Sequence, residues 1–225
     1  MSFYKSIFDL SWTNYFIIRE YLVFISCLII KVKPLEKFKL ILASQSPRRK
    51  ELLKKIVLDF EVLPSSIEEK IRPSLTVEEN VCLLAREKTI DISEKREGVF
   101  IIGADTLVVL DGVIFGKPND IEDARRILRF LSGKTHEVVT GVSVMAPNGK
   151  CEDDVARSMV TFKSLTEEEI VSYINTGEPM DKAGAYAIQG EGSRFVISHE
   201  GSWSNIVGLP METLQDLLIR QGCPI

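Results

Sequence analysis

From Lys39 onward, runs with the two-residue spacing of strands alternate with runs at helical spacing. Lys39 to Ala43 reads as a short apolar strand, Pro47 to Ile56 as a helix, and Phe60 to Leu63 as a second strand. Thr76 to about Glu94 predicts a long amphipathic helix, with Val77, Val81, Leu84 and Ala85 on one face. Val99 to Leu110 is apolar and β-rich, and Asp111-Gly112 then marks a hairpin turn. Asn119 to Leu131 predicts a helix closed by Gly133. Strands over Val138 to Ala146 and Arg157 to Phe162 flank the turn Pro147-Asn148-Gly149. Thr166-Glu167-Glu168-Glu169 is a capping box that opens a helix ending near Gly177. Strands near Tyr186 and Phe195 precede a last helix from Pro210 to about Arg220. No repeat or low-complexity linker interrupts the series, so residues 39–225 are expected to form one mixed α/β domain.

Residues 1–38 follow a different pattern. Between Asn14 and Ile30, Asn14, Arg19 and Glu20 break an apolar run. A spanning helix wants roughly 20 mostly apolar residues, and an Arg-Glu pair at its centre is costly in hydrocarbon. The stretch from Tyr21 to Ile30 has the length of a signal-peptide core, but Lys31-Val32-Lys33-Pro34 follows in place of a small-residue cleavage site. The preferred expectation is an accessory helix, or a start codon assigned upstream of the folded domain; a membrane or targeting role is the competing one.

Composition changes the picture in three ways. In 225 residues, 45% are hydrophobic and 27% charged, enough for a core that needs no disulfide or structural metal. A formal charge of -4 argues against broad nucleic-acid binding, which requires a basic surface, yet leaves room for a local basic pocket. The four cysteines form no C-x-x-C pair and have only His136 and His199 beside them, which argues against a zinc site and fits reduced thiols in a cytosolic protein.

Candidate chemistry begins at Ser44-Gln45-Ser46-Pro47-Arg48-Arg49-Lys50. Ser46 suits an N-cap and Pro47 the first helical position. The three cations that follow stand where the helix dipole disfavours positive charge. A bound anion would resolve the conflict, with free N–H groups, serine hydroxyls and arginines meeting phosphate oxygens. Taken alone, the stretch is better explained by arginines that turn to solvent or pair with Glu51. Asp105 adds a carboxylate inside an apolar run, flanked by the small Gly103 and Ala104. Glu68 and Glu69 form a second acidic cluster, and Lys88 and Lys117 are candidate phosphate ligands. Phosphoanhydride hydrolysis needs these types together: cations for the polyphosphate, a group to orient water, and hard oxygens for a divalent metal such as Mg²⁺ or Mn²⁺. No Walker A, G-x-G-x-x-G or Ser-His-Asp pattern is apparent.

Leu42-Ala43-Ser44-Gln45-Ser46-Pro47-Arg48-Arg49, Gly103-Ala104-Asp105-Thr106, Gly116-Lys117-Pro118 and Asp181-Lys182-Ala183-Gly184-Ala185-Tyr186-Ala187-Ile188-Gln189-Gly190 resemble the Maf family, as does Val207-Gly208-Leu209-Pro210. The likeness runs in order from about Lys39 to the end and gives residues 1–38 no counterpart. It implies an α/β fold with a mixed sheet flanked by helices, related to inosine triphosphatases. It also implies a cytoplasmic, metal-dependent house-cleaning enzyme that hydrolyses nucleoside triphosphates to monophosphate and pyrophosphate, and a homodimer. By the same likeness Asp105 is the catalytic acid/base; Ser44, Arg49, Lys88 and Lys117 hold the polyphosphate; and Glu69 joins Asp105 at the metal. Arg48, Thr106 and Gln189 match positions that the family associates with base choice. The Tyr186 to Gly190 string resembles the dTTP/UTP branch, although Ala187 stands where many relatives have glycine. Two rivals meet the same residues: the 7-methyl-GTP branch, and a nucleotide-binding regulator of cell division that does not hydrolyse.

Overall fold

The computed structural model describes Lys39–Ile225; the apolar segment 14–30 lies outside these residues. Seven strands form one mixed sheet in the order β2-β1-β3-β5-β6-β7, with β4 paired to β3 outside that path. The strands are β1 (Leu40–Leu42), β2 (Glu61–Val62), β3 (Phe100–Leu110), β4 (Val113–Phe115), β5 (Thr135–Met145), β6 (Cys151–Phe162) and β7 (Val196–Gly201). β1 is parallel to β2 and β3, and the remaining pairs are antiparallel. The helices are α1 (Pro47–Leu53), α2 (Val77–Ser93), α3 (Ile121–Leu131), α4 (Glu167–Ile174), α5 (Trp203–Val207) and α6 (Met211–Arg220).

Strand alternation on β3 divides the molecule's two layers. Leu107 and Val109 face α2, where they pack with Val81 and Val139. Val108 and Leu110 face the other way into a larger core with Ile127, Leu128 and Leu131 of α3 and Ile170 and Tyr173 of α4. Helix α2 lies directly on the sheet because Gly103 and Gly141 carry no side chain. A Cβ at Gly103 would strike the Ala85 carbonyl, and one at Gly141 would strike the backbone of Val81. At its start α2 carries a complete capping box between Thr76 and Glu79.

The expected elements appear, and the largest differences lie in three places. Strand β6 begins at Cys151, not Arg157. Its acidic first half, Glu152-Asp153-Asp154, resembles a loop in sequence, but it pairs with β5 along its length and meets basic partners. Arg220 reaches Asp154 at 3.0 Å, Lys150 reaches Glu152 at 2.7 Å, and Arg86 pairs with Asp153. The strand expected near Tyr186 is absent: Gly184 and Ala185 take φ of 70° and 58°, and the chain there forms short 3₁₀ turns. The small helix α5 was not foreseen. Its end at Gly208, with φ 113°, is open only to a residue without a Cβ.

Candidate active site

A cavity of about 770 Å³ opens where these elements converge. Its walls come from the start of α1, residues 64–71, Lys88 of α2, Asp105 to Val108 of β3, the loop after β4, residues 180–189 and residues 206–208. Every one of the residues expected from the sequence (Ser44, Arg48, Arg49, Glu69, Lys88, Asp105, Thr106, Lys117 and Gln189) lines it. Its charged lining is five cations, Arg48, Arg49, Lys88, Lys117 and Lys182, against three carboxylates, Glu69, Asp105 and Asp181. The cavity is therefore positive on a chain whose formal charge is -4.

At the floor, Lys88 and Asp105 are both buried. Lys88 Nζ donates to Asp105 Oδ1 at 2.6 Å and to the Ala104 carbonyl at 3.2 Å, and pairs with Glu69 Oε1 at 2.6 Å. An ammonium has three N–H donors, so all are committed to protein oxygens. In this arrangement Lys88 does not present a donor to a phosphate, as the sequence led one to expect; it fixes two carboxylates. Asp105 Oδ2 has no hydrogen-bond partner among the described residues. Glu69 also accepts from Lys117 at 2.9 Å. Burial works against its charge, but the ammonium groups of Lys88 and Lys117 outweigh it and hold the carboxyl at about 2. Lys117 stands half exposed at the rim.

Arg49 has a function that its sequence context did not suggest. Its Nε donates to the Gly208 carbonyl at 2.7 Å and its Nη1 to the Ala104 carbonyl at 2.9 Å and Ser44 Oγ at 3.3 Å. Nη2 donates to Thr106 Oγ1 at 3.0 Å. Four of five guanidinium donors are thus engaged, three of them tying α1 to β3 and to the end of α5, and one N–H is left for a ligand. The cation set against the helix dipole is stabilised first by carbonyl oxygens of the protein. Ser44 Oγ accepts from Arg49 and from the Ser46 amide, which leaves its O–H free to donate. Thr106 was expected at the base, but its hydroxyl is engaged. Thr140 donates to the Asn205 carbonyl, so Thr106 must donate to Thr140 and accept from Arg49. Asn205 in turn is fixed through its Nδ2 to the Val138 carbonyl and Ser158 Oγ.

Arg48 and Gln189 also line the cavity, and Gln189 is exposed. Burial lowers the Arg48 pKa, and the carboxylates of Asp181 and Glu178 oppose that shift. Sequence reasoning assigned no role to Lys182, which lines the cavity with its side chain only 12% exposed and pairs with Asp181. The Gly184 amide donates to the Gly116 carbonyl at 3.0 Å, so the loops bearing Lys182 and Lys117 are joined. Lys182 lay within a motif already noticed; the missing signal was that loop contact. Tyr186 forms another wall, its hydroxyl turned away to His136 Nε2 at 2.8 Å.

The chain matches the model of the Maf-like protein family over residues 39–221. It belongs to the Maf family. A dTTP/UTP pyrophosphatase of Anaeromyxobacter sp. (strain Fw109-5) is 48% identical over 84% of this chain and 92% of its own. One of Geotalea uraniireducens (strain Rf4) is 49% identical over 83% of this chain and 96% of its own. Among solved structures, the Staphylococcus aureus Ham1 protein is similar at 14% identity and a TM-score of 0.47, over 81% of this chain and 99% of that one. This Maf chain thus carries the family's sequence from β1 through its final helix, and all nine expected site residues fall inside the match.

Proposed function

We propose that the protein hydrolyses nucleoside triphosphates, with dTTP and UTP favoured, to the nucleoside monophosphate and pyrophosphate. The excess of cations in the cavity carries this reading, because a pocket that is positive on an acidic chain suits a compact polyanion. The names of the relatives at 48% and 49% identity supply the reaction class.

In this reading Asp105, its Oδ1 held by Lys88, takes the proton from water through Oδ2. The water oxygen attacks the α-phosphorus, the α–β bridging bond breaks, and pyrophosphate leaves with the bridging oxygen. Ser44 O–H, the remaining Arg49 N–H, Lys117 and Lys182 neutralise the phosphates. Arg48 and Gln189 face the base; an amide offers both a donor and an acceptor to the O4/N3–H edge of a pyrimidine. Thr106 serves the phosphate side through Arg49, whose Nη2 donates to it.

Glu69 and Asp105 would hold a divalent cation. Both touch one Lys88 ammonium at 2.6 Å, so their oxygens lie within twice that distance of each other. Two carboxylates fit Mg²⁺ or Mn²⁺, which complete their shells with water and phosphate oxygens. Among the described residues no third His, Cys, Asp or Glu joins them. Bound there, the ion supplies charge neutralisation on the triphosphate. A cytoplasmic location follows from where such substrates occur, and among the described residues no helix is long and apolar enough to cross a membrane. The family resemblance implies a homodimer, and residues 1–38 are read as an accessory helix or as lying upstream of the true start.

The decisive test is a panel of nucleotides with Mg²⁺ or Mn²⁺, scored for pyrophosphate against orthophosphate. Pyrophosphate from dTTP and UTP is expected, with Asp105→Asn at least about a hundredfold slower and still folded. Preference for 7-methyl-GTP would move the protein to that branch. Nucleotide binding without turnover would replace the enzyme with a regulator.

A further inference from the structure

Gln189 is exposed in the middle of a loop, and a selective amide has to be aimed. The loop from Ala187 to Gly192 is held at both ends by one pair of side chains. At its start, the Ala187 amide donates to Tyr173 Oη at 3.1 Å. Tyr173 Oη donates onward to Glu178 Oε1 at 2.7 Å. At the loop's far end, the amides of Gly192 and Glu191 donate to Glu178 Oε1 and Oε2, each at 3.1 Å. Tyr173 is fully buried on α4. The fit is close: a Cβ at Gly190 would strike the Glu178 carboxylate, and one at Gly192 would strike Tyr173 Oη. The same carboxylate faces Arg48, the other residue of the base wall, and its field helps that half-buried guanidinium keep its charge.

We propose that Glu178 and Tyr173 are specificity-positioning residues, a proton-linked pair that sets the loop carrying Gln189 and thereby selects the base. Neither lines the cavity. They act through Gln189 and Arg48, so their loss degrades base choice while leaving Asp105, Lys88 and Glu69 untouched. The proposal rests on the nucleotide pyrophosphatase reading, and its failure is separable from that one, because the wild-type protein tests the reading by itself.

The experiment measures kcat and KM for dTTP, UTP and dGTP in the wild type, Glu178→Gln and Tyr173→Phe. Glu178→Gln replaces an acceptor of three hydrogen bonds with a group that must turn N–H toward amide or hydroxyl donors. A hydrogen bond to a charged group is worth about a tenfold change in an equilibrium. The ratio of kcat/KM for dTTP over dGTP is therefore expected to fall about tenfold, mostly through KM, with kcat for dTTP within about twofold. Phe195→Leu is the control for stability, since the Phe195 ring packs edge-on against Tyr173 at 5.0 Å and its side chain has no hydrogen-bonding atom to hold the loop. It should lower the melting temperature and leave the ratio unchanged. An equal loss of kcat/KM for all three nucleotides in Glu178→Gln or Tyr173→Phe, or an equal shift of the ratio in Phe195→Leu, overturns the proposal. If one of the two variants fails to fold, the ratio in the other decides.

Discussion

Single side chains in this protein are informative chiefly through what they are bonded to. Lys88 and Arg49 read in sequence as phosphate ligands, and the structure commits most of their donors to protein oxygens. Their residue types and their convergence on the cavity were legible. The division of work was not, because it depends on acceptors such as the Gly208 carbonyl, 159 positions along the chain from Arg49. His136 shows the same limit. It is buried, with Nε2 bonded to Tyr186, Nδ1 without a partner among the described residues and the Phe162 ring packed edge-on against it at 4.9 Å. Burial pushes its pKa down to about 4. The folded state thus resists a proton that the unfolded chain accepts, so stability is undiminished above about pH 6.5 and falls as pH drops toward 4. The full loss is about 3 kcal/mol. Urea unfolding at about pH 7 and about pH 5 should show a smaller difference in His136→Phe than in the wild type. An unchanged difference would show that His136 does not govern that range.

Among the elements, hydrophobic spacing identified α2, α3, α6 and the long β3 to within a residue or two at most ends. It failed where tertiary partners substitute for pattern. The first half of β6 lacks an apolar alternation and depends on Arg86, Lys150 and Arg220. The turns around Tyr186 depend on left-handed backbone at Gly184 and Ala185. The seating of α2 on the sheet was also hidden, because a glycine in a strand reads as a weakness and here provides close approach. Gly141 lies opposite Asp105 in the β3–β5 register. Gly141→Ala should push α2 off the sheet, cost about 1–3 kcal/mol and displace Lys88 from Asp105. Thermal melting and turnover together check this: both should fall, and a loss of stability with full kcat would separate helix seating from the site.

At the scale of the whole molecule, a local excess of positive charge sits on a chain of net charge -4. Attraction of a polyanion to such a pocket is screened by salt. Raising ionic strength from about 50 to about 200 mM at constant free metal should raise KM for dTTP severalfold with little change in kcat. A fall in kcat at constant KM would place the sensitivity in the chemical step instead. The cavity also joins distant stretches of one chain. Arg49 near its beginning is braced by Gly208, and the loop that carries Gln189 belongs to the same late portion. During synthesis, a ribosome that has made β1 through β6 has produced Arg48, Lys88, Asp105 and Lys117, but neither the Gly208 brace nor the loop that carries Gln189. A chain cut short before Ala187 is therefore expected to show no turnover, since Arg49 loses its Gly208 acceptor and the cavity loses Gln189.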